Sequence, residues 1–345
     1  MQRRNHAASR QDVAIRAGVA PSTVSLVLNQ TPGPRIPDST RQRVLDAARE
    51  LGYQSSTIAR ALVTGKTNTI GVVLHFVDRP FYSYVAGILD GIWMALQPHK
   101  YRMLMVTGTP DACVAGVFRE RSVDGVLVFA APYLADDGEL RNMAEAGFPS
   151  VFIGTLPKNV KADYVDVDNV ALGRQATNLL LAAGHRQILH IAGPLDVNSA
   201  AIDRRTGYLK ALSEAGIEAR EDLIIDCSFN QLFVEDRLGA AIDKGVRFTA
   251  IFAANHSMGI GALNALRKRG VQVPKDVSIT TIDANTTHTA SAVSLTCFEQ
   301  PLEALGREAV RVLLERISGT AKASKRSLLP CGDAVGESVM PPPRA

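Results

Sequence analysis

Apolar residues recur at helical spacing over roughly the first fifty positions and change to short strand-like runs after Thr69. In the first stretch Val13, Ala17, Val24, Leu28, Val44, Leu45, Ala48 and Leu51 fall three or four apart or in register with such spacing, which predicts one small core beneath three short helices. The first helix is expected over Gln11–Ala17, closed by Gly18 in a left-handed cap. The second runs from Pro21 to Asn29, with proline in the first turn, where a missing N–H costs nothing. The third spans Ser39–Leu51, with Asp38 as its N-cap and Gly52 as its stop. Residues 31–37 read as a loop from their proline and glycine content, and Ser56–Val63 as a further short helical run that ends at Gly65.

Beyond Thr69, strands are predicted at Thr69–Leu74, Arg102–Val106, Gly125–Phe129, Ser150–Gly154, Tyr164–Val167, Gln187–Ala192, Leu223–Asp226, Ala250–Ala254, Val277–Ile282 and Ser294–Cys297. Helical segments lie between most of them, which points to βαβ units and doubly wound parallel sheets. Ten strands exceed what one simple domain holds, so two similar α/β lobes are expected, with a ligand crevice at the strand C-termini.

Charge adds a partner to this picture. The net +4 of the chain is uneven: residues 1–66 carry ten basic and four acidic side chains, and the remainder 28 and 30. A basic helical module ahead of a slightly acidic body suggests that the front end meets a polyanion. No run of apolar residues is long enough to span a bilayer, and Met1–His6 lead into no apolar signal core, which together point to the cytoplasm and away from a membrane. The four cysteines lack C-x-x-C spacing and read as reduced thiols, so no metal or disulfide is expected. Gly259-Ile260-Gly261 begins like a dinucleotide fingerprint, but Asn264 stands in the third glycine's place, and no phosphate loop, zinc-protease or serine-hydrolase motif occurs. An enzyme and a cofactor are therefore not expected.

Two short helices joined by a turn containing glycine form the helix-turn-helix pattern, whose second helix enters the major groove. Its outer face offers Pro21, Ser22, Ser25 and Leu26, with Thr23, Ser25 and Asn29 as short polar groups able to meet phosphate or sugar. Asp12-Val13-Ala14, Ala17-Gly18-Val19, Ser22-Thr23-Val24-Ser25, Val27-Leu28-Asn29, Thr40 to Val44 and Leu51-Gly52-Tyr53 together resemble the headpiece of the lactose-repressor (LacI) family. The likeness continues through Ile58 to Leu62, Thr69 to Val73, Arg121 to Gly125, Ala183 to Ile188, Asn255, Gly270 to Pro274 and Ile282-Asp283.

The resemblance implies an all-helical helix-turn-helix headpiece followed by a two-lobed, periplasmic-binding-protein-like α/β sensor of doubly wound parallel sheets. The implied boundaries are 1–54 for the headpiece and 55–67 for a hinge helix and linker. The first lobe takes 68–166 plus 297–322, the second takes 167–296 plus 323–340, and 341–345 form a tail. The implied function is a ligand-responsive transcriptional regulator, a repressor, that binds near-palindromic double-stranded operator DNA as a homodimer. Its effector is a small molecule, a sugar first and a nucleobase as the alternative.

By the same resemblance, Pro21, Ser22, Thr23, Ser25, Leu26, Asn29, Thr40, Ala59 and Leu62 face DNA. Leu62 is the hinge leucine that wedges between base pairs in the minor groove. Phe81, Tyr82, Arg204, Phe229, Asn255 and Asp283 face the effector: Arg, Asn and Asp suit hydroxyl groups, and an aromatic ring suits the apolar face of a sugar. Two departures bear on the operator. Leu26 stands where the family often has arginine, so apolar contact replaces a bidentate guanine contact, and Pro37 stands where the family usually has a capping serine.

Overall fold

The computed structural model describes residues 8–28, 36–53, 61, 65–74, 83–107, 116–117, 119–129, 138–156, 160–196, 198–283, 293–321 and 323–343. The chain divides into two compact units, Met1–Thr67 and Asn68–Ala345.

In the first unit, α1 (Arg10–Ala17), α2 (Pro21–Leu28) and α3 (Asp38–Glu50) enclose Val13, Ala14, Ala17, Val24, Val27, Val44, Ala47 and Ala48. Ser9 opens α1 through a capping box: its Oγ accepts from the Asp12 N–H, and the Asp12 carboxylate accepts from the Ser9 N–H at 2.8 Å. Gly18 closes α1 at φ +64°, which lets the Val19 N–H reach back to the Ala14 carbonyl at 3.0 Å and turns the chain into α2. Two expectations are corrected. Asp38 is inside the first turn of α3 rather than at its cap, because the extended backbone belongs to Pro37, and no side chain caps that end. Leu45 and Leu51 are each 37% exposed: Leu45 points about 100° away from Val44 on the helix, and Leu51 lies past the last turn.

The second unit is built on two six-stranded sheets of matching order. The first contains β1 (Thr69–Leu74), β2 (Arg102–Thr107), β3 (Gly125–Phe129), β4 (Ser150–Ile153), β5 (Asp163–Val167) and β11 (Arg326–Leu329), arranged β2-β1-β3-β4-β5-β11. The second contains β6 (Ile188–Ala192), β7 (Ile224–Asp226), β8 (Ala250–Ala253), β9 (Ser278–Ile282), β10 (Thr296–Phe298) and β12 (Ala334–Val335), arranged β7-β6-β8-β9-β10-β12. All pairings are parallel except β10 with β12. Interior strands such as β1, β3, β6 and β8 are buried on both faces, as parallel strands covered by helices must be.

The described chain passes between the sheets three times, from β5 to β6, from β10 to β11 and from β11 to β12. This differs from the expected lobe boundaries. Thr296–Phe298 belongs wholly to the second sheet, and Arg326–Leu329 pairs with β5 in the first, so residues 323–340 do not all lie in the second lobe. Neither β11 nor β12 is among the predicted strands: both are short edge strands with partly exposed residues.

Each sheet carries a pair of closely crossing helices. Over the first, α4 (Ser83–Leu96) meets the helix at Leu302–Ile317, where a Cβ on Gly91 would lie 2.1 Å from the Glu303 carbonyl oxygen. Over the second, the helices at Asn169–Ala182 and Ser199–Glu214 cross in the same way. A Cβ on Gly173 would lie 2.2 Å from the Arg204 oxygen, and one on Gly207 2.2 Å from the Val170 oxygen. Only glycine permits such approach, and the crossing sets Arg204 beside the start of the neighbouring helix.

Candidate DNA-reading helix and effector crevice

Val24 and Val27 anchor α2 in the headpiece core, which leaves Ser22, Ser25 and Leu26 together on its outward face. Ser22 is exposed, and Pro21, Thr23, Ser25 and Leu26 are half-buried. The Ser25 hydroxyl donates to the Pro21 carbonyl at 3.3 Å and accepts from Arg10 Nη1 at 3.1 Å. Arg10, a residue sequence reasoning passed over, thereby brings a cation to this face. Thr40 is half-buried in the first turn of α3. Asn29, Ala59 and Leu62 lie outside the described residues, as do Phe81 and Tyr82.

In the second unit, Arg204 is 4% exposed on the helix at Ser199–Glu214, hereafter α7, with Asn169–Ala182 as α6. The intervening helix of the first lobe at Gly138–Glu145 is α5. Arg204 Nε donates to Asn169 Oδ1 at 2.9 Å, and its Nη1 donates to the Ala254 carbonyl and, at 3.4 Å, to Asp283 Oδ2. Asp283 follows β9 with φ +71°, a left-handed conformation that an aspartate tolerates better than most residues. The strained turn aims its carboxylate at Arg204 on one side and at Gln300 on the other, whose Nε2 donates to Asp283 Oδ1. A buried arginine needs such company, since an unpaired charge in the interior is strongly destabilising.

Asn255 follows Ala254 directly, but its Oδ1 is committed to the N–H of Met258 at 2.8 Å as the N-cap of the helix at His256–Arg267. Phe229, at φ +54°, lays its ring over Gly193, where a Cβ would come within 2.3 Å of it, and packs on the second lobe's core. Arg204 and Asp283 are thus in direct contact, Asn255 is joined to them through the chain at Ala254, and no described contact ties Phe229 to the cluster.

Sequence reasoning missed Asp166, Asn169 and Gln300. Asp166, at 2% exposure on β5, accepts from Tyr164 Oη at 2.6 Å and Asn169 Nδ2 at 2.9 Å. Gln300 is 8% exposed, and its Oε1 has no hydrogen-bond partner among the described residues. The one available signal was their position: Asp166 and Asn169 flank the end of β5, and Gln300 follows β10. Among the described residues no group of His, Cys, Asp and Glu has the arrangement of a metal site.

Residues 10–56 match the bacterial regulatory proteins of the lacI family, and residues 177–339 match the periplasmic binding protein-like domain. The HTH-type transcriptional regulator CelR of Thermobifida fusca is 35% identical over 334 residues, covering 94% of this chain and 96% of that one. The chain belongs to the LacI family. It is a DNA-binding transcriptional regulator with a ligand-binding sensor, not an enzyme. The solved transcriptional regulator CelR–cellobiose complex superposes with a TM-score of 0.74 at 33% identity over 96% of this chain and all of that chain. The lac repressor dimer bound to operator and the anti-inducer ONPF gives 0.85 at 24% identity over 97% of this chain and all of that one, which speaks to the fold. In this LacI-family regulator the two family matches fall on the helix-turn-helix and on the sensor, and no described helix is long and apolar enough to cross a membrane.

Proposed function

We propose that this regulator is a sugar-responsive repressor that works in the cytoplasm and binds a near-palindromic operator as a homodimer. The observation that carries the reading is the Arg204–Asp283–Gln300 cluster at the strand ends of the second sheet, with Arg204 and Gln300 buried and Asp283 half-buried. It offers a fixed cation, a carboxylate and an amide oxygen without a partner among the described residues to vicinal hydroxyls, in a sensor similar to one solved with cellobiose. A β-linked glucose disaccharide is the effector this favours, with Asn255 and Phe229 bordering it and Phe81 and Tyr82 as further contacts.

On the DNA side, Ser22, Thr23, Ser25 and Leu26 of α2 enter the major groove, Pro21 and Thr40 meet the backbone, and Asn29, Ala59 and Leu62 extend the contact. Dimerisation fits the two sheet edges. Leu104 and Met105 on edge strand β2 are 41% and 37% exposed, Trp93 on α4 is 54% exposed, and Leu232 and Phe233, in the first turn of the helix that follows edge strand β7, are 63% and 44% exposed. Such apolar edges are covered in stable proteins, and a second copy covers both at once.

Two measurements test the reading. Cellobiose added to the full chain should raise its melting temperature and change its retention of operator DNA in a gel shift, while a nucleobase should do neither. The reverse pattern would replace the sugar with a nucleobase. For the DNA face, Leu26→Arg should shift the preferred half-site base towards guanine by about 1–3 kcal/mol of discrimination in a randomised-operator selection. An unchanged preference would remove Leu26 from the bases.

A further inference from the structure

The carboxylate of Asp166 stands behind Arg204 in a line of hydrogen bonds that runs from the first sheet into the second. Tyr164 and Asp166 belong to β5, Asn169 opens α6, and Arg204 lies on α7. Asn169 is the link. Its Nδ2 donates to Asp166 at 2.9 Å, and its Oδ1 accepts from Arg204 Nε at 2.9 Å. A side-chain amide has one donor end and one acceptor end, and rotating it by 180° would present N–H groups to the guanidinium. An anionic carboxylate, which only accepts, holds the donor end of Asn169 towards β5, as the guanidinium, which only donates, holds the acceptor end towards Arg204. The close crossing at Gly173 and Gly207 keeps the two backbones at the spacing this requires.

We propose that Asp166 is a positioning residue for Arg204, acting through Asn169, and that its ionised form keeps the guanidinium in place for effector. The inference rests on the reading of Arg204 as an effector contact, and it assigns Asp166 no contact with effector itself.

The surroundings of Asp166 determine when the device works. Tyr84 from α4, Tyr164 from β5, Arg204 from α7, Asp283 after β9 and Cys331 between β11 and β12 all act on it or feel it electrostatically. Arg326 lies over the Tyr164 ring, 5.7 Å from its centroid. Burial pushes Asp166 up to about 6, and Asp283 adds in the same direction, against the opposing pull of the Tyr164 hydroxyl, the Val167 N–H and Arg204. As pH falls through that value the carboxyl gains a proton and becomes a donor as well as an acceptor. It is then a weaker acceptor for the Asn169 N–H, and the anchor behind Arg204 loosens. Effector affinity should therefore be highest above neutrality and fall towards pH 5.

Two readouts on the full chain test this. In calorimetry with cellobiose, the wild-type dissociation constant should rise up to about fourfold between pH 7.5 and 5.5, because a group titrating near 6 is about three-quarters protonated at the lower pH. Asp166→Asn should bind with a flat pH profile, and Tyr164→Phe should keep a sloping one. Without any ligand, the Arg204 Nε–H resonance, assigned by its loss in Arg204→Lys, should move with a midpoint near 6 in wild type and stay still in Asp166→Asn. Movement of that resonance together with no cellobiose binding at any pH would sink the sugar reading and support the positioning role. A wild-type resonance unmoved between pH 5 and 8, or moving equally in Asp166→Asn, would overturn the positioning role whatever cellobiose does.

Discussion

The headpiece and the sensor solve burial in opposite ways. The headpiece core is valine and alanine throughout, and every described buried polar or charged side chain lies at Thr69 or beyond. The sensor buries Asp163, Asp166, His185, His190, Arg204 and Gln300 among its apolar residues. An all-apolar core is non-directional: any set of side chains of suitable volume at the right helical spacing fills it. A buried ionisable group is directional, and each one requires a named partner at a named distance. Asp163, for example, takes both Nε and Nη2 of Arg316 at 2.9 and 2.8 Å and the Lys325 N–H at 2.7 Å. The first kind of core sets a module's stability, and the second makes stability and binding respond to solutes and protons.

The largest break in this contrast should come from Arg204→Ala. It leaves half-buried Asp283 without its cation and strips partners from Asn169 and Ala254, a loss of about 3–5 kcal/mol. Denaturant unfolding of the full chain should show the sensor transition shifted by that amount. Operator retention at a temperature where the variant remains folded should no longer respond to cellobiose. An unshifted transition would mean that the pairing carries no net stabilisation.

A smaller effect, and one absent from the headpiece, should come from His190. Its ring is stacked between Tyr208 and Phe252, with centroids 5.0 and 4.7 Å away, and burial pushes it down to about 4. The unfolded chain therefore binds this proton before the folded one does. The contribution of His190 to stability is constant above about pH 6.5 and falls by about 3 kcal/mol as pH drops to 4. Asp166, raised to about 6, works the other way over a similar window: the folded state takes its proton first, so stability gains as pH falls. In wild type the two offset each other. His190→Phe should leave only the gain and Asp166→Asn only the loss, so their stability–pH curves should diverge below pH 6. Parallel curves would show that neither group is held as its burial implies.

The smallest change expected is in the headpiece. Ser9→Ala removes one half of the capping box on α1 and should cost about 1 kcal/mol, with no dependence on cellobiose. Hydrogen exchange at the α1 amides reads this directly, and exchange that sped up equally in the sensor would break the separation between the two regions.

The same contrast decides what could be read from the chain. The three headpiece helices appear within one or two residues of expectation because a 3.6-residue period and a closing glycine are local signals. So are the buried strands: Thr69–Leu74 and Gly125–Phe129 appear at the predicted bounds. Arg326–Leu329 was illegible because its burial alternates at a sheet edge and its partner β5 lies some 160 residues earlier. The site divides likewise. Arg204 and Asp283 could be named from their places in the family pattern, and the structure brings them together. Asn169 and Gln300 are ordinary polar residues whose importance comes from partners 35 and 17 positions away, a relation no local pattern holds.

The interleaving of the two sheets bears on how the molecule is made. By Val167 five of the six strands of the first sheet have been synthesised. The helix that covers them, with Leu305, Ala309, Val310, Val312 and Leu313 turned inward, is not complete until Ile317, and the last strand not until Leu329. Synthesis at roughly 5–20 residues per second leaves that sheet face bare for many seconds on the ribosome. The second sheet has most of its own strands before the first is closed. A nascent chain of this regulator thus carries its half-covered lobe through nearly half of translation, and that interval, more than the finished fold, is where chaperone dependence and aggregation would be decided.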